Sequence, residues 1–197
     1  MPIPAFTIDG VLPPFVGPNG PGGRAEDMTP YAVSSVELVT TLGTTDHRKA
    51  ILRGWLQHRA AVRRLGFSGF QWVDGSFVEH DPQREPADID VVCFMHMPTF
   101  VDRAAANLWA QQNHDVLFNR PHIKATYLVD FFLQPLNARP ETLVNVTRYW
   151  AGLFSHRRKD NIWKGMLQVD LGDVADDQAA AAMLGSGPAQ SAAGGAP

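Results

Sequence analysis

Cysteine is almost absent from this 197-residue chain: Cys93 stands alone, which excludes an intramolecular disulfide and a multi-cysteine zinc site and fits a reducing cytoplasm. Long apolar runs are missing too. No stretch approaches the roughly 20 apolar residues that cross a bilayer. The N-terminus lacks a basic segment followed by an apolar one, so a secretory signal is not expected. There is also no excess of positive charge. A net charge of -3 and a pI near 6.1 exclude an evenly basic, nucleic-acid-coating surface. What remains, with 45% apolar residues, is the composition of a soluble domain that buries a core.

Proline and glycine are concentrated at the start. Residues 1–30 contain the run Pro18–Gly23, PNGPGG, which sustains neither a helix nor a central strand. Ile3, Phe6, Ile8, Val11, Leu12 and Phe15 predict that this arm packs onto the rest. Residues 176–197 are mostly Ala, Gly, Ser and Pro and bury too little area to offset chain entropy, which predicts a disordered tail after a frayed helical turn at most. One domain over 31–175 lies between.

The centre alternates in pattern. Asp46 is a candidate cap for a helix carrying Ile51, Leu52, Trp55, Leu56 and Val62 and ending near Gly66. Gly69–Val78 reads as a strand entering a turn, and Asp88–Phe94 as a second strand. Thr99 and Asp102 suggest a capping box for a helix through Trp109 to about Asn113. Ile123–Leu133 is a third strand candidate. Pro140 suits the first turn of a helix with Leu143, Val146, Trp150, Leu153 and Phe154 on one stripe. Leu167, Val169 and Leu171 alternate as a last strand. The expected fold class is α/β (α+β), a mixed sheet flanked by helices.

Chemistry concentrates in Trp72-Val73-Asp74-Gly75-Ser76-Phe77 and Pro86-Ala87-Asp88-Ile89-Asp90-Val91-Val92. Residues i and i+2 of a strand share a face, so Asp88 and Asp90 project together. Paired carboxylates repel unless a positive charge lies between them, and a hard divalent cation with oxygen ligands supplies one. Gly75 lets backbone approach a phosphate, and the Ser76 hydroxyl donates to its oxygens. A lone carboxylate at Asp130, within Tyr127-Leu128-Val129-Asp130-Phe131-Phe132, is costly unless it sits at a strand end or beside a cation.

This Gly-Ser pair, Asp-x-Asp strand and later acidic residue resemble the signature of the nucleotidyltransferase superfamily with the polymerase-beta-type fold. The stretches QWVDGSF, PADIDVV and KGMLQVDL also look like a family of small bacterial nucleotidyltransferase-like proteins of unassigned activity. The resemblance implies a minimal nucleotidyltransferase fold. It implies Asp88, Asp90 and Asp130 as catalytic residues and ligands of Mg2+ or Mn2+, and Gly75 and Ser76 as nucleotide-phosphate contacts. Asp170 competes for the third acidic position. Between Phe77 and Ala87, Pro82 and Pro86 break the regular helix that many superfamily members place there. An apolar strand before the first Asp, as in haloacid-dehalogenase-type phosphatases, is absent.

The basic run His156–Lys159 with Lys164 beyond it is either a solvated helix end or a triphosphate contact, the latter making Lys164 nucleotide-binding. The seven histidines show no ligand spacing and most read as surface or indirect supporting groups; Cys93 reads as packing. The function implied is transfer of a nucleoside monophosphate from an NTP to a hydroxyl of an unidentified acceptor, whether RNA, protein or a small molecule. A partner protein or a second copy could form the other wall of the cleft. The alternative is an inactive nucleotide-binding or partner-binding module, including one in a toxin–antitoxin or phage-defence pair.

Overall fold

The computed structural model describes residues 2–185. Its elements are β1 (Tyr31–Ala32), α1 (Ser35–Leu42), α2 (Asp46–Arg63), β2 (Gly69–Asp74), β3 (Ile89–Met95), α3 (Arg103–Gln112), α4 (His114–Leu117), α5 (Arg120–Tyr127), β4 (Val129–Pro135), α6 (Pro140–Phe154), β5 (Leu167–Asp170) and α7 (Val174–Leu184). The sheet runs in the order β1-β5-β2-β3-β4. Strand β2 is antiparallel to both β3 and β5, whereas β3–β4 and β1–β5 are parallel. It is the mixed sheet expected, in an α+β chain.

Period-two alternation divides the sheet into two buried faces. Val73, Val91, Cys93, Phe131 and Val169 face the main core with Ile51, Leu52 and Trp55 of α2. Trp72, Val92 and Phe94 face a second cluster with Trp150 and Phe154 of α6. Cys93 is fully buried, and burial pushes its thiol up to about 12, which leaves it a packing residue. The N-terminal arm packs through Val11 and Leu12, which are buried, whereas Ile8, expected to pack with them, is fully exposed at the tip of a turn. Among the described residues, no helix is long and apolar enough to cross a membrane.

Several boundaries differ from the sequence expectation, each for a local reason. The cap of α2 is Thr45, whose Oγ1 accepts from the Arg48 amide at 3.2 Å; Asp46 is already helical. Asp102 caps α3 by itself, accepting from the Ala105 amide at 2.8 Å, so Thr99 forms no capping box. Leu153 of α6 lies at the exposed edge of its stripe. Residues Ile123–Tyr127 are helix rather than strand. Asn119 caps α5 at the His122 amide and Pro121 fits its first turn. Leu128, left-handed at φ 57, ends it and turns the chain into β4.

The tail expectation also changes. Residues 174–184 form α7, capped by Asp173, while 186–197 lie outside the described residues. Its alanines favour helix, and the inward Asp177 meets Arg59, Arg63 and the Ser35 hydroxyl.

One histidine is neither a surface group nor an indirect support. His58 on α2 is fully buried, 4.6 Å from the Phe131 ring, and donates through Nε2 to the Val116 carbonyl at 2.8 Å. Burial pushes it down to about 4, so the fold holds it neutral while the unfolded chain protonates near 6.5. The unfolded state therefore binds more protons between those values, and stability falls as pH drops through that window. From pH 7 to pH 5 this group should cost about 2 kcal/mol. The His58→Gln variant should lose that much less in urea midpoints taken at the two pH values. An identical pH response in both proteins would refute the assignment.

Candidate functional site

The strand registers gather the carboxylates. Asp74 at the end of β2 pairs with Asp90 of β3, and Asp90 pairs in turn with Asp130 of β4. Directly opposed residues share a sheet face, so three aspartates stand in one row across three strands. Asp88, two residues before Asp90, adds a fourth on that face. Asp130 is the second residue of β4, at the strand end its polarity demands. Asp170 pairs with Phe70 at the far end of β2 and takes no part.

Each carboxylate has different company. Asp74 is buried against Lys164, with Nζ at 3.1 Å and side-chain exposures of 4% and 2%. Burial pushes its carboxyl up to about 7, with the Lys164 ammonium working against that. Asp88 meets Lys124 of α5, yet its buried Oδ2 has no well-directed hydrogen bond. Asp130 accepts from Nη2 of Arg120, also on α5, at 2.7 Å. Asp90, the central one, has no cation of its own among the described residues. Burial first, then the charges of Asp88 and Asp130, raise it to about 6.

Gly75 sits against that central group. Its φ is +80, and a Cβ there would lie 1.8 Å from Oδ2 and 2.8 Å from Cγ of Asp90. Only glycine combines this backbone with this contact. We expect Gly75→Ala to displace the Asp90 carboxylate and destabilise the chain by about 1–2 kcal/mol. Thermal melting together with any activity of the site checks this; a fully stable, fully functional Gly75→Ala variant would contradict the packing.

Ser76 is the second residue of the short 3-10 turn Gly75–Val78 beside the row and is half-buried. Beyond that turn the chain stays irregular to Ala87, as its prolines require. Lys164 is placed differently from a nucleotide contact. Its ammonium lies inside the fold, donating to the Gly75 carbonyl at 3.0 Å and to Glu79 at 2.9 Å. There it braces the glycine turn from beneath. The basic run divides as well: Arg157 is buried on Asp160 and the Asp9 carbonyl, whereas Arg158 is exposed and its charge acts on Asp90.

Sequence reasoning passed over Asp74, Arg120 and Lys124. A strand reading from Ile123 onward hides Lys124 and leaves Arg120 in a connection, although Asn119-Arg120-Pro121 is a helix start and four-residue spacing puts both cations on one helical face.

Among the described residues, no three His, Cys, Asp or Glu side chains are gathered as a metal-holding group. The outer carboxylates are instead taken by α5. The donor set nevertheless suits a hard cation: all oxygen, unevenly neutralised, with the Asp88 Oδ2 buried and poorly satisfied and Asp90 pushed up by its neighbours' charge.

A model of a family of unknown function (DUF6932) matches residues 4–170. No curated protein and no solved structure matches the chain.

Proposed function

The chain belongs to the DUF6932 family, and from the geometry of its site we infer that it is a metal-dependent nucleotidyltransferase. It transfers a nucleoside monophosphate from an NTP to a hydroxyl of an acceptor. The observation that carries this reading is the row of Asp74, Asp90 and Asp130 across three strands, extended by Asp88, with the bare Gly75 backbone against Asp90.

Asp88, Asp90 and Asp130 are the residues that would hold Mg2+ or Mn2+. Such an ion screens the phosphates and orients the reacting oxygens. The chain supplies the rest. Gly75 leaves room for the Asp90 carboxylate beside the turn, and Ser76 offers a hydroxyl donor to a phosphate there. Lys164 and Asp74 keep the turn in register from below. Asp130 lies on the edge strand and is partly exposed, so an acceptor approaches it from outside the sheet. The acceptor oxygen forms a bond to the α-phosphorus, the bond to the bridging oxygen breaks, pyrophosphate leaves, and Asp130 takes the hydroxyl proton.

The test is incubation of the full chain with labelled NTPs, Mg2+ or Mn2+, and RNA or protein acceptors. Label should enter an acceptor and cease when EDTA removes the ion. Absence of transfer across all NTPs and acceptor classes counts against turnover.

A second reading is a nucleotide-binding module without turnover. The observation favouring it is that Lys124 and Arg120 already neutralise the outer carboxylates. It is distinguished by metal-dependent nucleotide binding with no product.

A further inference from the structure

Two cations stand on the exposed face of α5 with no structural duty that requires exposure. Arg120 and Lys124 are four residues apart, hence on one face of the helix. Their side chains are 50% and 51% exposed, yet both reach inward to the outer carboxylates of the row, Asp130 and Asp88. Lys164 differs: it is buried and committed to three partners within the fold. Arg120 has a further support, since its guanidinium carbon lies 3.9 Å from the centroid of the Phe132 ring. That contact keeps the guanidinium beside the row even when its carboxylate partner changes.

Charge decides what the pair is for. Three carboxylates, Asp88, Asp90 and Asp130, with two cations leave the cluster one charge negative, a poor host for a polyphosphate. A divalent ion on the same carboxylates turns that into one charge positive and releases both α5 cations from their partners. A guanidinium then offers a planar fork that matches two phosphate oxygens, and an ammonium offers a point charge.

We propose that Arg120 and Lys124 are the polyphosphate-binding residues of this site, held on Asp130 and Asp88 until a divalent cation replaces them; this rests on the nucleotidyltransferase reading. α5 thus acts as a built-in counterion. It keeps the metal-free cluster from repelling itself, and it admits the nucleotide only after the ion.

The experiment uses the full chain and two separate readouts. Mn2+ binding without nucleotide is followed by loss of the free-ion electron paramagnetic resonance signal. Binding of a non-hydrolysable NTP analogue at saturating Mn2+ is followed by calorimetry. Arg120→Gln and Lys124→Gln should bind Mn2+ as tightly as the unaltered chain or several-fold tighter, because a competing cation is gone. Each should bind the analogue about tenfold or more weakly. Arg120→Lys should recover part of that loss. Unchanged analogue binding in both glutamine variants, or weakened Mn2+ binding in either, overturns the proposal while leaving the metal site standing. An unaltered chain that takes up no Mn2+ overturns the underlying reading, and this inference falls with it. Circular dichroism on the half-exposed variants separates any failure to fold from a failure to bind.

Discussion

Asp90→Asn should silence nucleotide transfer and, in EDTA, melt above the unaltered chain. The two effects have one cause. Asp90 is crowded by burial and by the charges of Asp88 and Asp130, which raise its carboxyl from 3.8 to about 6. The native state therefore binds more protons than the unfolded state between those values. The penalty is absent below about 3.8 and complete above about 6, where it amounts to roughly 3 kcal/mol. Asparagine keeps the shape and removes the charge. It should recover part of that penalty, a gain of about 5 °C for a chain of this size. Transfer should drop at least about a hundredfold, the scale on which removal of one transition-state-stabilising group acts. Adding Mg2+ should raise the melting temperature of the unaltered chain by mass action and leave the variant where it was. Melting curves with and without the ion, beside the transfer assay, decide the matter. A destabilised variant that still transfers would mean Asp90 is an ordinary structural residue.

The other large effect lies far from the site. Asp177→Ala should cost about 3–5 kcal/mol, because it removes the charge that balances the buried Arg59 guanidinium and the half-buried Arg63 beside it. Arg59 is fully buried; it donates to Asp177 at 2.9 Å, to Gln71 at 2.9 Å and to the Asp170 carbonyl at 2.5 Å, and lies 4.8 Å from the Trp55 ring. Arg63 and the Ser35 hydroxyl meet the same carboxylate. Without Asp177, a charge is left in the core, and among the described residues α7 keeps only Asp176 on the α1 amides and Arg53 on the Leu184 carbonyl as polar ties to α1 and α2. The melting temperature should fall by about 10 °C. A double change, Asp177→Ala with Arg59→Met, should restore much of it, since an apolar replacement of the whole pair is often nearly neutral. A single alanine variant that melts normally would contradict the role given to this pair.

These features were unevenly legible. The continuous apolar run Val91–Phe94 marks β3 as a strand buried on both faces, and the i, i+2 spacing puts Asp88 and Asp90 on one face. The third-acid role of Asp130 follows from the resemblance, and its place in an apolar run agrees with it because a carboxylate there demands a reason. The sequence offers Lys164 either as part of a solvated helix end or as a nucleotide contact, whereas the fold buries it beneath Gly75. The tail was read as too small-sided to hold together. A single acid in it, Asp177, meets two arginines more than a hundred residues away. Neither outcome has a local signature.

Local chemistry in the chain thus determined where most strands and helices form, which carboxylates share a face, and that glycine belongs at position 75. Tertiary structure alone decided that Asp74 joins the row, that α5 sets its two cations on the outer acids, and that Lys164 and Asp177 are internal ties. The reason is physical: a strand's face follows from period two, but its register and the partner of a charge depend on residues distant in sequence. A buried charge takes its partner from whatever the fold brings within reach.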